Sequence, residues 1–219
     1  MLQAILLPKL NNLQPTLEST LLKAMEEAGE LARAVLAFLP YEQLPPAAVA
    51  ADSRTNKLLR EVSEELLDLA QCCVTMIFVM EDYYQVRADL LIDAHLIKLQ
   101  HKEYRYDQSQ SYRIATVGNF KYLQLPRLEL PDVTLLTTVC KIQEELGELT
   151  QFLGKEAGAS GEAGRMDGSQ VLLGCAEELL DVAQCCFTMM YILAERHDVN
   201  IQQLLDSHVA KLRRKGYCA

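Results

Sequence analysis

The sequence predicts an all-α helix bundle built from two copies of one helical unit. Two observations carry that prediction. The chain repeats itself at long range, and its apolar residues recur at helical spacing between the loops. Half of its 219 residues are hydrophobic, so a sizeable core is available.

The repeat organises everything else. Leu7-Pro8-Lys9-Leu10 returns as Leu125-Pro126-Arg127-Leu128, an offset of 118. At the same offset, Lys23-Ala24-Met25-Glu26-Glu27-Ala28-Gly29-Glu30-Leu31 is matched by Lys141-Ile142-Gln143-Glu144-Glu145-Leu146-Gly147-Glu148-Leu149. The offset then falls to 113, where Glu64-Glu65-Leu66-Leu67-Asp68-Leu69-Ala70-Gln71-Cys72-Cys73-Val74-Thr75-Met76 recurs as Glu177-Glu178-Leu179-Leu180-Asp181-Val182-Ala183-Gln184-Cys185-Cys186-Phe187-Thr188-Met189. Eleven of those thirteen positions are identical. A third block, Asp93-Ala94-His95-Leu96-Ile97-Lys98-Leu99, answers Asp206-Ser207-His208-Val209-Ala210-Lys211-Leu212 at 113 again. The change of offset (118 − 113) falls in loops that share little, residues 40–55 and the glycine-rich residues 154–168. Insertions collect in exposed loops. The expected organisation is a first repeat over 1–105, a linker over 106–122 and a second repeat over 123–219.

Each copy reads as three long helices. In the first, residues 17–39, Leu17, Leu21, Met25, Ala28, Ala32, Val35 and Leu39 form one apolar stripe, and Pro40 and Pro45-Pro46 lie beyond its end. The second, 57–84, turns apolar almost all round after Leu66, as a buried central helix does. The third, 88–104, is amphipathic, and its counterpart can be capped by Asn200 with Gln203 three positions later. Residues 107–131 carry β-branched and aromatic residues with Gly118, Pro126 and Pro131, and read as an extended linker.

Bulk properties exclude several roles. A formal charge of −9 argues against holding a nucleic-acid polymer, which needs a clustered basic surface. Membrane crossing needs about 20 apolar residues, and the longest candidate, 66–80, is broken by Asp68, Gln71 and Thr75. Residues 1–7 lack a basic leader and a cleavage site, so the expected location is cytoplasmic. Cys72-Cys73 and Cys185-Cys186 sit inside apolar helical runs and read as reduced core residues, not as a disulfide framework.

The acids carry the chemistry. Glu26-Glu27-x-x-Glu30 lies on one predicted helix and Glu64-Glu65-x-x-Asp68 on the next, and residues three apart share a helical face. Two antiparallel helices can therefore gather Glu27, Glu30, Glu65 and Asp68 around one hard cation, and the second copy offers Glu145, Glu148, Glu178 and Asp181. A set of carboxylates without His or Cys favours magnesium, or manganese, over zinc. Isolated Glu-rich stretches are more often solvated helix faces. Here Asp68 stands at the mouth of an apolar run, where an ionised carboxylate is costly unless paired or metal-bound. Gly29 and Gly147, just before Glu30 and Glu148, cost about 1 kcal/mol each against Ala in a helix, which predicts a close approach to the backbone there.

With EExxE followed by ExxD in both copies, the sequence resembles the MazG-like all-α nucleoside triphosphate pyrophosphohydrolases, relatives of the dimeric dUTPases and of phosphoribosyl-ATP pyrophosphohydrolase. The resemblance implies hydrolysis between the α- and β-phosphates of a nucleoside triphosphate, giving a monophosphate and pyrophosphate. It implies Mg2+ (or Mn2+) on Glu27, Glu30, Glu65 and Asp68 and on Glu145, Glu148, Glu178 and Asp181. Glu26 and Glu144 fall where the family has an acid that orients the attacking water. Where the family presents Asn, Lys and Arg to the nucleotide, this chain has His95, Lys98 and Lys102, and His208, Lys211 and Lys215. The gaps of 34 residues between Glu30 and Glu65 and 29 between Glu148 and Glu178 are long for the family, so the intervening loop is expected to cover or reshape the site.

Because the family assembles helices from two subunits, the fused repeats imply an intrachain pseudo-dimer, with further self-association of chains into a dimer expected. A carboxylate-bridged di-iron bundle needs Glu-x-x-His, and no Glu here has His three residues later. The remaining alternative is a non-catalytic metal- or nucleotide-binding sensor or interaction protein on the same scaffold. Lys23 and Lys141 are expected as i,i+3 salt-bridge partners of Glu26 and Glu144.

Overall fold

The computed structural model describes residues 5–11, 13–117, 120–158 and 167–218. Each long helix starts where a short polar side chain can take a free backbone N–H of the first turn. Thr16 caps α1 (Leu17–Phe38) by accepting from the Ser19 N–H, and the Ser19 hydroxyl oxygen accepts from the Thr16 N–H. Thr134 and Thr137 build the same box at α5 (Leu135–Ala157). Asp52 opens α3 (Ser53–Tyr83), Asp167 opens α6 (Gly168–His197), and Asn200 caps α7 (Ile201–Arg214) through the Gln203 N–H at 3.0 Å. Between them lie the short α2 (Pro46–Ala51) and α4 (Ala88–His101). Helical class and the three long helices of each half agree with the sequence reading to within a few residues. α2 was not foreseen, because it occupies six residues of a proline-rich loop.

The core is a layered helical stack. The central helices α3 and α6 pack on each other, α1 lies against α3, α5 against α6, and α1 meets α5. Phe78, Phe187, Leu66, Leu67, Leu69, Met76, Ile77 and Leu179 are almost wholly shielded at this centre. Each such side chain contributes roughly 1.5–3 kcal/mol of burial free energy. The third helices cross over: α4 reaches α6, and α7 reaches α3.

Residues 107–131, expected as an extended linker, hold part of a small antiparallel sheet. β1 (Leu7–Pro8), β2 (Ile114–Val117) and β3 (Phe120–Leu123) are ordered β1-β3-β2, with Leu7 opposite Leu123 and Ile114 opposite Leu123 on the other side. Pro8 stands on an edge strand, where its missing N–H is harmless. Of the leader region, residues 1–4 lie outside the described residues. The glycine-rich loop begins later than expected, since α5 runs through Gly154 and ends at Gly158, whose φ of +70° suits glycine; residues 159–166 of that loop lie outside the described residues. No helix among the described residues is long and apolar enough to cross a membrane.

Candidate metal and nucleotide site

Two acid clusters sit where the outer helices meet the central ones. In the first, Glu27 and Glu30 on α1 and Glu65 on α3 each bring one carboxylate oxygen within 4.8 Å of the others. In the second, Glu145 on α5 and Glu178 and Asp181 on α6 do the same, and all three are buried. The i,i+3 spacing brings both members of a pair into a cluster on α1, with Glu27 and Glu30, and on α6, with Glu178 and Asp181. Two members of the expected sets stand differently. Asp68 lies outside its group of three, and Glu148 is exposed and outside the other.

The clusters hold an unsatisfied demand for positive charge. Glu65 Oε2 and Glu178 Oε2 are buried without a hydrogen-bond partner. Burial pushes the Glu65 carboxyl up to about 7, helped by the charges of Glu30, Asp68 and Glu27. Burial pushes Glu178 up to about 8, aided by a hydrogen bond shared with Glu145 and by the charges of Asp181 and Glu148. A set of hard oxygen donors, with one orphaned buried oxygen in each, fits a divalent cation by its chemistry.

The aspartates meet cations that the opposite half of the chain supplies. His95 Nδ1 lies 3.1 Å from Asp181 Oδ1, and Lys98 pairs with Asp181 Oδ2. His208 Nδ1 lies 3.4 Å from Asp68 Oδ1, and Lys211 pairs with Asp68 Oδ2. Burial alone would raise both aspartates. The hydrogen bonds and charges of their His and Lys partners outweigh it and hold both below the usual carboxyl range.

The remaining candidates lie at the rim. Glu26 and Glu144 are exposed and bind Lys23 and Lys141 at 3.1 and 2.9 Å, the expected i,i+3 pairs. The same lysines also reach the buried Glu27 and Glu145, at 2.5 and 2.6 Å, an i,i+4 contact that the sequence reading missed. Lys102 and Lys215 are exposed. A cavity of about 290 Å³ opens beside the second cluster, with Glu145, Asp181, Lys98 and Lys102 among its lining. Its apolar wall is made by Leu99, Tyr104, Leu128, Leu130 and Val133.

At the two helical glycines before Glu30 and Glu148 the protein itself makes no close approach. A Cβ built on Gly29 or Gly147 meets nothing within 4 Å, because both positions face open space, so no part of the protein approaches the backbone there. The close approach is at Gly174, where a Cβ would run into the Phe152 ring.

The cysteines are free thiols, as expected. Cys73 and Cys186 are buried, Cys72 and Cys185 half-buried, and burial pushes the latter two up to about 12. Sequence reasoning also missed Gln71 and Gln184, buried amides beside the two histidines. The available signal was an amide retained at the same place in two otherwise apolar runs. Comparison with protein-family models, with curated proteins and with solved structures gives no match to this chain.

Proposed function

We propose that the chain is a magnesium-dependent nucleoside triphosphate pyrophosphohydrolase, its two repeats arranged as an intrachain pseudo-dimer with one carboxylate site in each. The observation that carries this reading is the pair of three-carboxylate clusters, each with an orphaned buried oxygen, the second containing and the first lying beside an aspartate served by a His and a Lys. Triphosphate plus water gives monophosphate plus pyrophosphate, and no covalent nucleophile is required.

Glu27, Glu30 and Glu65, and Glu145, Glu178 and Asp181, would hold the cation. Bound there, Mg2+ supplies charge neutralisation of the phosphates and a more acidic water. Lys98 and Lys211 each give one N–H to an aspartate, and an ammonium has three, so the others are free to meet phosphate oxygens. Glu26 and Glu144, at the exposed edge, are the candidates to orient and deprotonate the attacking water. The apolar wall beside the second cluster offers space for the nucleoside.

A panel of canonical, deoxy- and damaged triphosphates with Mg2+, resolving pyrophosphate from orthophosphate, tests the reading. The expected product is pyrophosphate, with Glu30→Gln plus Glu145→Gln, one ligand from each cluster, weakening metal binding. If no triphosphate yields pyrophosphate and the double variant binds metal as before, the enzyme reading fails. Metal-dependent nucleotide binding without turnover selects the non-catalytic sensor instead. We also propose that chains pair into a dimer, as the sequence resemblance implies, and light scattering on the purified chain tests it.

A further inference from the structure

The two Leu-Pro-Lys/Arg-Leu segments recur in sequence, yet nothing above gives them a task. In the structure each proline carbonyl receives a buried amide. Gln71 Nε2 donates to Pro8 O at 2.9 Å and to Thr75 Oγ1 at 3.2 Å. Gln184 Nε2 donates to Pro126 O at 2.7 Å and to Thr188 Oγ1 at 3.0 Å. The residue after each proline clamps the far end of the same central helix, Lys9 to Asp82 at 2.5 Å and Arg127 to Glu195.

These contacts settle which way each amide faces. A carbonyl oxygen only accepts, so the amide nitrogen must point at the proline and the amide oxygen must point away from it. That oxygen meets a histidine: Gln184 Oε1 lies 3.3 Å from His95 Nε2, and Gln71 Oε1 lies 3.3 Å from His208 Nε2. The opposite ring nitrogen faces Asp181 or Asp68. Each ring is therefore held at both edges, and Lys98 or Lys211 lies one helical turn further along the same face. An amide on a buried helix is retained at little cost only when its N–H groups and its oxygen all find partners, and both amides do.

We propose that Gln71 and Gln184 are positioning residues. Anchored by the Pro8 and Pro126 carbonyls, they fix the His208 and His95 rings and so set each His–Lys pair over its aspartate. The consequence for turnover rests on the function proposed above; the positioning itself does not.

The test uses Gln184→Leu and Gln71→Leu in the full chain, singly and together. The first readout is the imidazole nitrogen NMR signals of both histidines, which need no substrate. Gln184→Leu is expected to move the His95 signals and leave those of His208 in place, and Gln71→Leu the reverse. The second readout is turnover, where the double variant should lose roughly 10- to 100-fold in kcat, with KM changed less. A folded Gln184→Leu with unaltered His95 signals overturns the proposal, as does a double variant with displaced rings and undiminished kcat. Should the wild-type chain hydrolyse no triphosphate, the enzyme reading falls, while the ring signals still decide the positioning role. If Gln184→Leu does not fold, Thr188→Val loosens the same amide and keeps its Pro126 contact. A smaller displacement confined to His95 is then expected, and none refutes the idea.

Discussion

Lys98 and Asp181 are 83 positions apart in sequence and share an ion pair across the α4–α6 contact. Lys211 and Asp68, 143 positions apart, form its counterpart between α7 and α3. Each aspartate thus belongs to one half of the chain and takes its His and Lys partners from the other, while Lys23 and Lys141 serve Glu27 and Glu145 from within their own halves.

Removing one of these cations strands a mostly buried carboxylate. Lys98→Met should lower stability by about 1–2 kcal/mol, since His95 remains to share the charge of Asp181 and Lys98 is partly in solvent. Asp181→Asn alone should lose a similar amount, and the double variant less than the sum. Chemical denaturation of the four proteins checks this, and strict additivity would refute it.

The acid clusters set a pH dependence. Glu65 and Glu178 have folded values of about 7 and about 8, above the ordinary 4.5, so the stability they contribute is full below 4.5 and lost as pH rises through the folded values. His197, held by burial below its usual 6.5, pulls the other way only at lower pH. Between 6.5 and about 8, then, the melting temperature of the metal-free protein should fall with rising pH. Added Mg2+ should flatten that slope, because it replaces the protons that the clusters release. A flat metal-free profile that Mg2+ leaves unchanged would count against cation binding.

Alanine substitution distinguishes the glycines. Gly29→Ala and Gly147→Ala meet open space and should stabilise the protein by up to about 1 kcal/mol through helix propensity. Gly174→Ala drives a methyl group into Phe152 and should cost about 1–3 kcal/mol. Melting curves for the three variants suffice, and equal shifts would contradict the packing at Gly174.

Thiol labelling should separate Cys140 from its neighbours. Cys140 is exposed, whereas Cys72 and Cys185 are half-buried and hold their protons to about 12. A maleimide under native conditions should modify Cys140 first, and Cys140→Ser should remove the fast phase. A fast phase that survives the substitution would show that another thiol is open.

Helical periodicity made the long helices legible, because stripes such as Leu21, Ala28 and Val35 reflect a local geometry that sequence records directly. The acid pairs were legible for the same reason, one turn apart on one face. What stayed hidden depends on three-dimensional pairing. Nothing local to Asp68 shows that His208 and Lys211 will reach it, or that Glu148 will be exposed while Glu30 joins a cluster. The sheet was hidden because Leu7 finds its partner at Leu123. Gly29 stayed unexplained because a helical glycine records a cost without naming its cause.

The crossing of α4 and α7 also imposes an order on synthesis. His95 and Lys98 leave the ribosome about 83 residues ahead of Asp181, a wait of roughly 4–17 s at ordinary elongation rates. The Asp181 pair can close once α6 has emerged, but Asp68 must wait for α7, the last of the described helices. The aspartate made first is therefore paired after the one made later, and a polypeptide stopped before α6 carries neither aspartate pair.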